Sequence, residues 1–168
     1  MRRPALLAIA LFLLLPAATQ AQIRLLGGVG VTNPFGDLRD VSSVGWRAMG
    51  GIELGIAALP VQFRADGGYD SFGQKGSNPQ TSILSGALSL VVNFPGIGLS
   101  PYVLGGLGTY RTSVDGVDPF SNRGIHGAFG VDIGAVGSGG FAEVRYVSVK
   151  TDGDTNQRFV TATLGLRL

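Results

Sequence analysis

The chain has 168 residues, with 13 Lys and Arg, 11 Asp and Glu, 28 Gly and no Cys. The absence of Cys excludes disulfides and thiolate metal sites. The first 21 residues hold two Arg and no acid, so without them eleven basic residues face eleven acidic ones, and this neutral balance gives no reason to expect a nucleic-acid partner. The Gly residues alternate with Val, Leu, Ile and Phe, which argues against disorder and favours closely packed strands.

The first 21 residues have the pattern of a secretory signal peptide. Two Arg are followed by an apolar run over 5–15, which is too short to span a bilayer comfortably. Small residues then lead up to Ala21, after which we expect cleavage; an uncleaved anchor is the alternative. The sequence therefore predicts a signal peptide at 1–21 and a single domain at 22–168.

Eight runs of apolar residues that alternate with small or polar ones follow along the chain. A period of two predicts β-strands, and most of these runs are longer than the five or six residues usual in soluble sheets. The predicted strands span 23–33, 45–56, 61–70, 80–94, 100–112, 123–136, 140–150 and 157–168.

The connections between these runs alternate in length. The short ones are 57–60, 95–99 and 137–139, and the long ones are 34–44, 71–79, 113–122 and 151–156. This alternation is typical of a transmembrane barrel with tight periplasmic turns and longer external loops. The sequence therefore predicts an all-β fold, an eight-stranded antiparallel up-and-down transmembrane β-barrel. We expect it in the outer membrane of a Gram-negative-type bacterium, surrounded by outer-membrane lipid and with both termini periplasmic.

The two faces of the predicted strands differ in charge. One face, which includes Leu25, Leu88 and Ile125, is apolar and is predicted to contact lipid. The opposite face carries Arg24, Arg47, Glu53, Arg64, Asp66, Asp132, Glu143, Arg145 and Arg167. An Arg on the lipid face near the bilayer midplane costs about 2–4 kcal/mol, so we expect these nine side chains to point inward. The fifth strand is ambiguous, because Tyr102 and Leu107 lie in opposite phases.

An eight-stranded barrel has an interior just wide enough for side chains to fill it. Charges buried there must pair, because an unpaired buried charge is prohibitively unfavourable. We therefore predict that the nine charged residues form a structural network that closes the lumen. A selective pore is the alternative.

Neither a catalytic nor a cofactor site is predicted. His126 is the only His, and its phase neighbours Ala128 and Gly130 include no Ser, so we expect a structural role for it rather than that of a catalytic base. The segment from Asp152 to Asn156 starts like a calcium loop but lacks the Gly and Glu required further on. No metal and no cofactor are therefore expected.

Three segments carry a family resemblance: Ser100–Tyr110, Gly140–Tyr146 and Phe159–Leu168. Over 22–168 the chain resembles the outer-membrane β-barrel domain family of small eight-stranded proteins, which includes the opacity and adhesin-like proteins. These segments are family-level patterns rather than activity signatures. We expect a non-enzymatic envelope-structural or surface-contact role through external loops whose partner is unidentified. A small pore, or a lipid-modifying outer-membrane enzyme, is the alternative.

The C-terminal strand bears on how the barrel is inserted. Its alternation is intact up to the last residue. The resemblance implies that this strand is recognised by the barrel assembly machinery, which in the family usually reads a terminal aromatic residue. Here the last residue is Leu168, so the chain departs from that pattern.

Overall fold

The computed structural model describes residues 21–56, 59–74, 80–135, 138–150 and 156–168. In this part of the chain, eight antiparallel strands form a closed barrel in which each strand pairs with its neighbours in sequence and the first pairs with the last. The strands are β1 Ala21–Phe35, β2 Ser42–Ile56, β3 Val61–Gln74, β4 Thr81–Asn93, β5 Leu99–Val114, β6 Val117–Ala135, β7 Ser138–Lys150 and β8 Asn156–Arg167. The predicted fold class is confirmed. The predicted signal peptide at 1–21 lies, except for Ala21, outside the described residues.

One short helix, α1 Asp37–Val41, lies between β1 and β2 within the predicted loop 34–44. Five residues are too few to show a helical period in sequence, so α1 was not predicted. Its Leu38 is buried against apolar side chains of the barrel interior. Among the described residues, no helix is long and apolar enough to cross a membrane.

The barrel has two distinct ends. We call the end at which β1 begins and β8 ends the terminal end, and the opposite end, which carries α1, the loop end. At the loop end the predicted long loop 113–122 is wrong, because β5 continues to Val114 and β6 already begins at Val117. The turn between them is Asp115-Gly116, a pair suited to a tight hairpin, and Gly116 has a φ of 83°. Strand pairing therefore extends to the tip of this hairpin. Residues 57–58, 75–79, 136–137 and 151–155 of the other predicted connections lie outside the described residues.

The outer surface of the barrel is apolar. Leu88 is 70% exposed and Ile125 is 62% exposed, and the other large apolar residues of the predicted lipid face point outward with them wherever their side chains are described. The structure also resolves the fifth strand, because Tyr102 is fully buried in the interior while Leu107 points outward. Burial thus follows the predicted alternation, with polar residues inside.

The interior has two layers of different chemistry. Toward the loop end, an apolar cluster fills the barrel; it consists of Leu38, Phe72, Ile83, Tyr110, Val147, Val149 and Phe159, and we call it the apolar layer. Phe72 and Phe159 meet edge to face with their ring centroids 5.6 Å apart. Toward the terminal end, charged side chains occupy the interior, and we call this part the charged layer. The two layers lie in series along the barrel axis.

Candidate functional site

Glu143 on β7 is the centre of the charged layer and is only 3% exposed. Its Oε1 accepts a hydrogen bond from Arg145 Nε at 2.9 Å. Its Oε2 accepts hydrogen bonds from Arg64 Nη1 at 2.5 Å and from the Tyr102 hydroxyl at 2.9 Å. Because side chains two residues apart share a strand face, β7 presents Glu143 and Arg145 together. Arg64, by contrast, comes from β3 and reaches Glu143 across the lumen.

The ion pairs continue on both sides of Glu143. Arg145 binds Asp66 through two nitrogens, at 2.7 and 3.3 Å. Arg64 Nε donates to Glu53 at 2.7 Å, and Arg167 also donates to Glu53, at 3.1 Å. Arg167 in turn pairs with Asp132. The result is a chain of alternating charge that runs Asp66, Arg145, Glu143, Arg64, Glu53, Arg167 and Asp132, which we call the ion-pair chain.

Aromatic rings support the guanidinium groups of the ion-pair chain. Arg64 and Arg167 each lie 5.3 Å from the centroid of the Tyr102 ring, within the range of a cation–π contact. The Tyr102 ring lies over Gly130 of β6, where an added Cβ would lie 2.2 Å from Tyr102 Cζ. Gly130 is therefore required for the ring to occupy this position, and the ring helps to fix both guanidinium groups.

Eight of the nine charged residues predicted to point inward are brought together. Seven form the ion-pair chain, and half-buried Arg24 lies at its terminal-end margin. With its amide oriented to satisfy both neighbours, Gln62 donates to Glu53 at 3.1 Å and accepts from Arg24 at 3.3 Å. The group then holds four Arg and four acids, so it can be neutral without bound ions.

Arg47, the ninth predicted residue, belongs to a separate pair. It binds Asp70, which faces it directly across the β2–β3 ladder, and both side chains are buried. Asp70 was not predicted as part of the site. The signal was present, because Asp70 shares the phase of Arg64 and Asp66, but the predicted third strand ended at this residue.

His126 has a partner that the sequence did not reveal. Its Nε2 is hydrogen-bonded to Ser89 Oγ at 2.7 Å and its Nδ1 to the Tyr110 hydroxyl at 3.2 Å. The same-phase neighbours of His126 on β6 contain no Ser, but a Ser from another strand lies beside it. Ser89 comes from β4, two strands away, and reaches His126 over Gly106 of β5, where no side chain intervenes. Reading one strand at a time does not detect such a contact.

The polar groups of the interior form no metal site in the described part of the chain. No group of three or more His, Asp or Glu side chains is arranged there to hold a metal ion. The carboxylates of the ion-pair chain are instead bound to guanidinium groups. The segment that starts like a calcium loop lies, except for Asn156, outside the described residues.

Solved structures share this fold at low sequence identity. Neisserial surface protein A superposes with a TM-score of 0.73 and 17% identity, over 88% of this chain and 96% of that chain. The outer membrane enzyme PagL gives 0.55 and 19%, over 86% and 98%. The N-terminal β-barrel domain of Pseudomonas aeruginosa OprF gives 0.53 and 15%, over 89% and 100%.

The chain therefore has the fold of the small eight-stranded outer-membrane β-barrels. No protein-family model and no curated protein sequence matches it. At these identities the likeness concerns the fold, and both enzymatic and non-enzymatic proteins share it.

Proposed function

We propose that this protein is a non-enzymatic integral outer-membrane barrel with an envelope-structural or surface-contact role. Its loop end faces outward from the cell and both termini lie in the periplasm. The observation that carries the proposal is the filled interior, in which the ion-pair chain and the apolar layer lie in series. A barrel filled in this way acts through its outer wall and its loop end rather than through its lumen.

The outer wall supports membrane insertion. Between the two ends of the barrel its large side chains are apolar and exposed, whereas the interior carries the buried Arg, Asp and Glu side chains. A water-soluble barrel has the opposite arrangement, with apolar residues inside and polar residues outside. The strands have 12 to 19 residues, enough to cross the hydrocarbon core at the usual tilt. The wall therefore suits a hydrocarbon environment.

The loop end offers contact surface. Val41 of α1 and Val117 of the β5–β6 hairpin are exposed there, beside charged residues of the same segments. Because Leu38 anchors α1 in the apolar layer, the helix holds a fixed position above the lumen. Exposed apolar side chains on an anchored element favour a contact role at this end.

The Ser89–His126 pair does not favour an enzyme. Both residues are buried inside the barrel, so a lipid substrate in the membrane has no access to them. The second His126 nitrogen is bonded to a Tyr hydroxyl, whereas a catalytic triad places a carboxylate there. We assign the pair to packing between the charged and apolar layers.

Planar-bilayer recording tests the closed lumen. The refolded protein is expected to insert, to shift its gel mobility on boiling, and to produce no steady conductance steps. A porin recorded in the same bilayer shows that the method detects steps. Steady steps from the wild-type protein would support the pore instead, and a mass shift of lipid A on expression would support the enzyme.

A further inference from the structure

Several basic side chains at the loop end point outward from the wall rather than into the lumen, and three of them lie on the successive strands β5, β6 and β7. Arg111 on β5, Arg123 on β6 and Lys150 on β7 are exposed and share the phase of the apolar residues Leu107 and Ile125. Arg123 pairs with Thr109 of β5. On its other side, Gly124 pairs with Val149 of β7, so Arg123 lies opposite Lys150. We call these three residues the basic rim.

A row of outward-facing glycines leads to the basic rim. Gly27 pairs with Gly50, Gly50 with Gly67, and Gly67 with Gly86, on four successive strands. The same row continues through Thr109 to Arg123. All of these residues are exposed on the outer wall. We call the row from Gly27 to Thr109 the furrow.

Apolar residues border the furrow on both sides. Toward the terminal end the neighbouring row is Leu25, Ile52, Ala65, Leu88, Leu107 and Ile125. Toward the loop end it is Val29, Ala48, Tyr69 and Leu84, followed by Arg111. The groove that includes most of the furrow, Arg123 and Lys150 has a volume of about 1410 Å³. An apolar groove with a basic end is thus built into the wall.

Barrel packing does not require glycine at these positions. A Cβ at Gly27 or Gly86 would meet no atom within 4 Å, and at Gly50 and Gly67 the nearest atoms would be at 3.7 and 3.6 Å, which is ordinary contact. Side chains at these sites would instead fill the furrow. The glycines keep the groove open toward the surrounding lipid.

The dimensions of the furrow match one leaflet. Neighbouring strands lie about 4.8 Å apart and tilt by roughly 40°, so a row perpendicular to the strands climbs about 3 Å at each strand. Five strand steps separate Gly27 from Arg123, which gives a rise of about 15 Å. This is about half of the roughly 30 Å hydrocarbon core. The row from Gly27 to Arg123 is therefore about as tall as one leaflet.

We propose that the furrow binds an acyl chain of a phosphate-bearing lipid of the outer leaflet, whose phosphate is held by the basic rim. The apolar borders suit the chain, and the Arg and Lys side chains suit the phosphate. The proposal rests on the proposed function, because it requires the loop end to face the outer leaflet.

Electron paramagnetic resonance of spin-labelled lipid tests this proposal. The protein is inserted into phosphatidylcholine vesicles that contain about 1% of phosphatidic acid or phosphatidylcholine with a nitroxide on the acyl chain. The motionally restricted fraction gives the relative association of the two probes with the wall. Wild-type protein is expected to prefer phosphatidic acid. Because a membrane-proximal basic residue contributes roughly a fivefold preference, Arg123→Gln and Lys150→Gln should each lower the ratio by about that factor, and Arg123→Lys should retain it.

The furrow itself is tested separately from the charge. Gly67→Leu fills the groove and should lower the phosphatidic acid preference, although it leaves the basic rim intact. Gly127→Leu is the matched control, because Gly127 is also outward-facing with its nearest atom at 3.7 Å but lies outside the furrow. Equal ratios for wild type, the two Gln variants and Gly67→Leu would overturn the proposal.

Two controls separate this proposal from the proposed function. Each sample is checked for heat-modifiable mobility and for the absence of conductance before the lipid measurement. A barrel that inserts and stays closed but shows no lipid preference refutes the furrow alone. A barrel that fails to insert, or that conducts, refutes the proposed function itself.

Discussion

The stability of the barrel is expected to depend strongly on Glu143. Glu143→Leu removes the acceptor for three hydrogen bonds, from Arg64, Arg145 and the Tyr102 hydroxyl. Arg64 then keeps only Glu53, and Arg145 keeps only Asp66. Two buried guanidinium groups therefore lose half of their compensating charge in a confined interior.

The expected loss in free energy of unfolding is about 3–5 kcal/mol, the range for breaking a buried ion pair from one side. The structure also predicts how to avoid this loss. Replacing both Glu143 and Arg64 with Leu leaves two smaller groups in which the charges balance. One is Asp66 with Arg145, and the other is Arg24 and Arg167 with Glu53 and Asp132. Removing both partners of a buried pair is often nearly neutral. We therefore expect a coupling energy of about 2 kcal/mol or more between Glu143 and Arg64.

Urea titration of the protein in lipid vesicles measures these free energies, with unfolding followed by the fluorescence of Trp46, the only Trp. The set comprises wild type, Glu143→Leu, Arg64→Leu and the double variant. Asp118→Ala serves as a surface control, because Asp118 is an exposed acid and its loss should stay within about 0.5 kcal/mol.

The reasoning fails if Glu143→Leu is no more destabilising than Asp118→Ala, or if the two single losses simply add in the double variant. Additivity would mean that Glu143 and Arg64 do not interact strongly in the membrane. The central contact of the ion-pair chain would then contribute little to holding the barrel together.

Three further expectations follow from the geometry. Gly130→Ala should destabilise the barrel by about 1–3 kcal/mol through an interior clash, whereas Gly127→Ala, whose methyl points outward, should be near neutral in the same urea titration. A tag in the turn between β5 and β6 should bind antibody on intact cells, and a tag at 136–137 should not; the reverse would invert the topology. Glu143→Ala and Phe159→Ala should each give no conductance steps in a planar bilayer. Only the double variant should conduct, and its steps should be anion-selective because buried Arg loses its partner. Steps from either single variant would contradict two seals in series.

Much of the fold could be predicted because the solvent on each side of the wall is different. Hydrocarbon outside excludes charge and the narrow lumen collects it, so alternate residues are sorted by chemistry along every strand. The fifth strand shows where this sorting weakens. Tyr102 and Leu107 are both acceptable outside. Tyr102 points inward because its hydroxyl donates to Glu143, two strands away over Gly130, and its ring contacts the guanidinium groups of Arg64 and Arg167.

The inward set could be predicted from phase, but its pairing could not. Arg64 and Glu143 are 79 residues apart, and their contact depends on how the strands are staggered around the closed barrel. Ser89 and His126 meet only because Gly106 leaves the strand between them without a side chain. Alternation indicates which face a residue lies on, but it does not give the height of the residue along the barrel axis.

The two interior layers also explain why the strands extend beyond their predicted ends at the loop end. Strand extension carries Phe72 to the top of the interior, where it packs against Phe159. Phe159 also meets Tyr110, and the Tyr110 hydroxyl is bonded to His126 below the apolar layer. The hydrogen bond between Tyr110 and His126 thus lies between the apolar layer and the charged layer. α1 adds Leu38 to the apolar layer, so the loop end of the interior is filled by packing that needs no charge, whereas the ion-pair chain fills the terminal half.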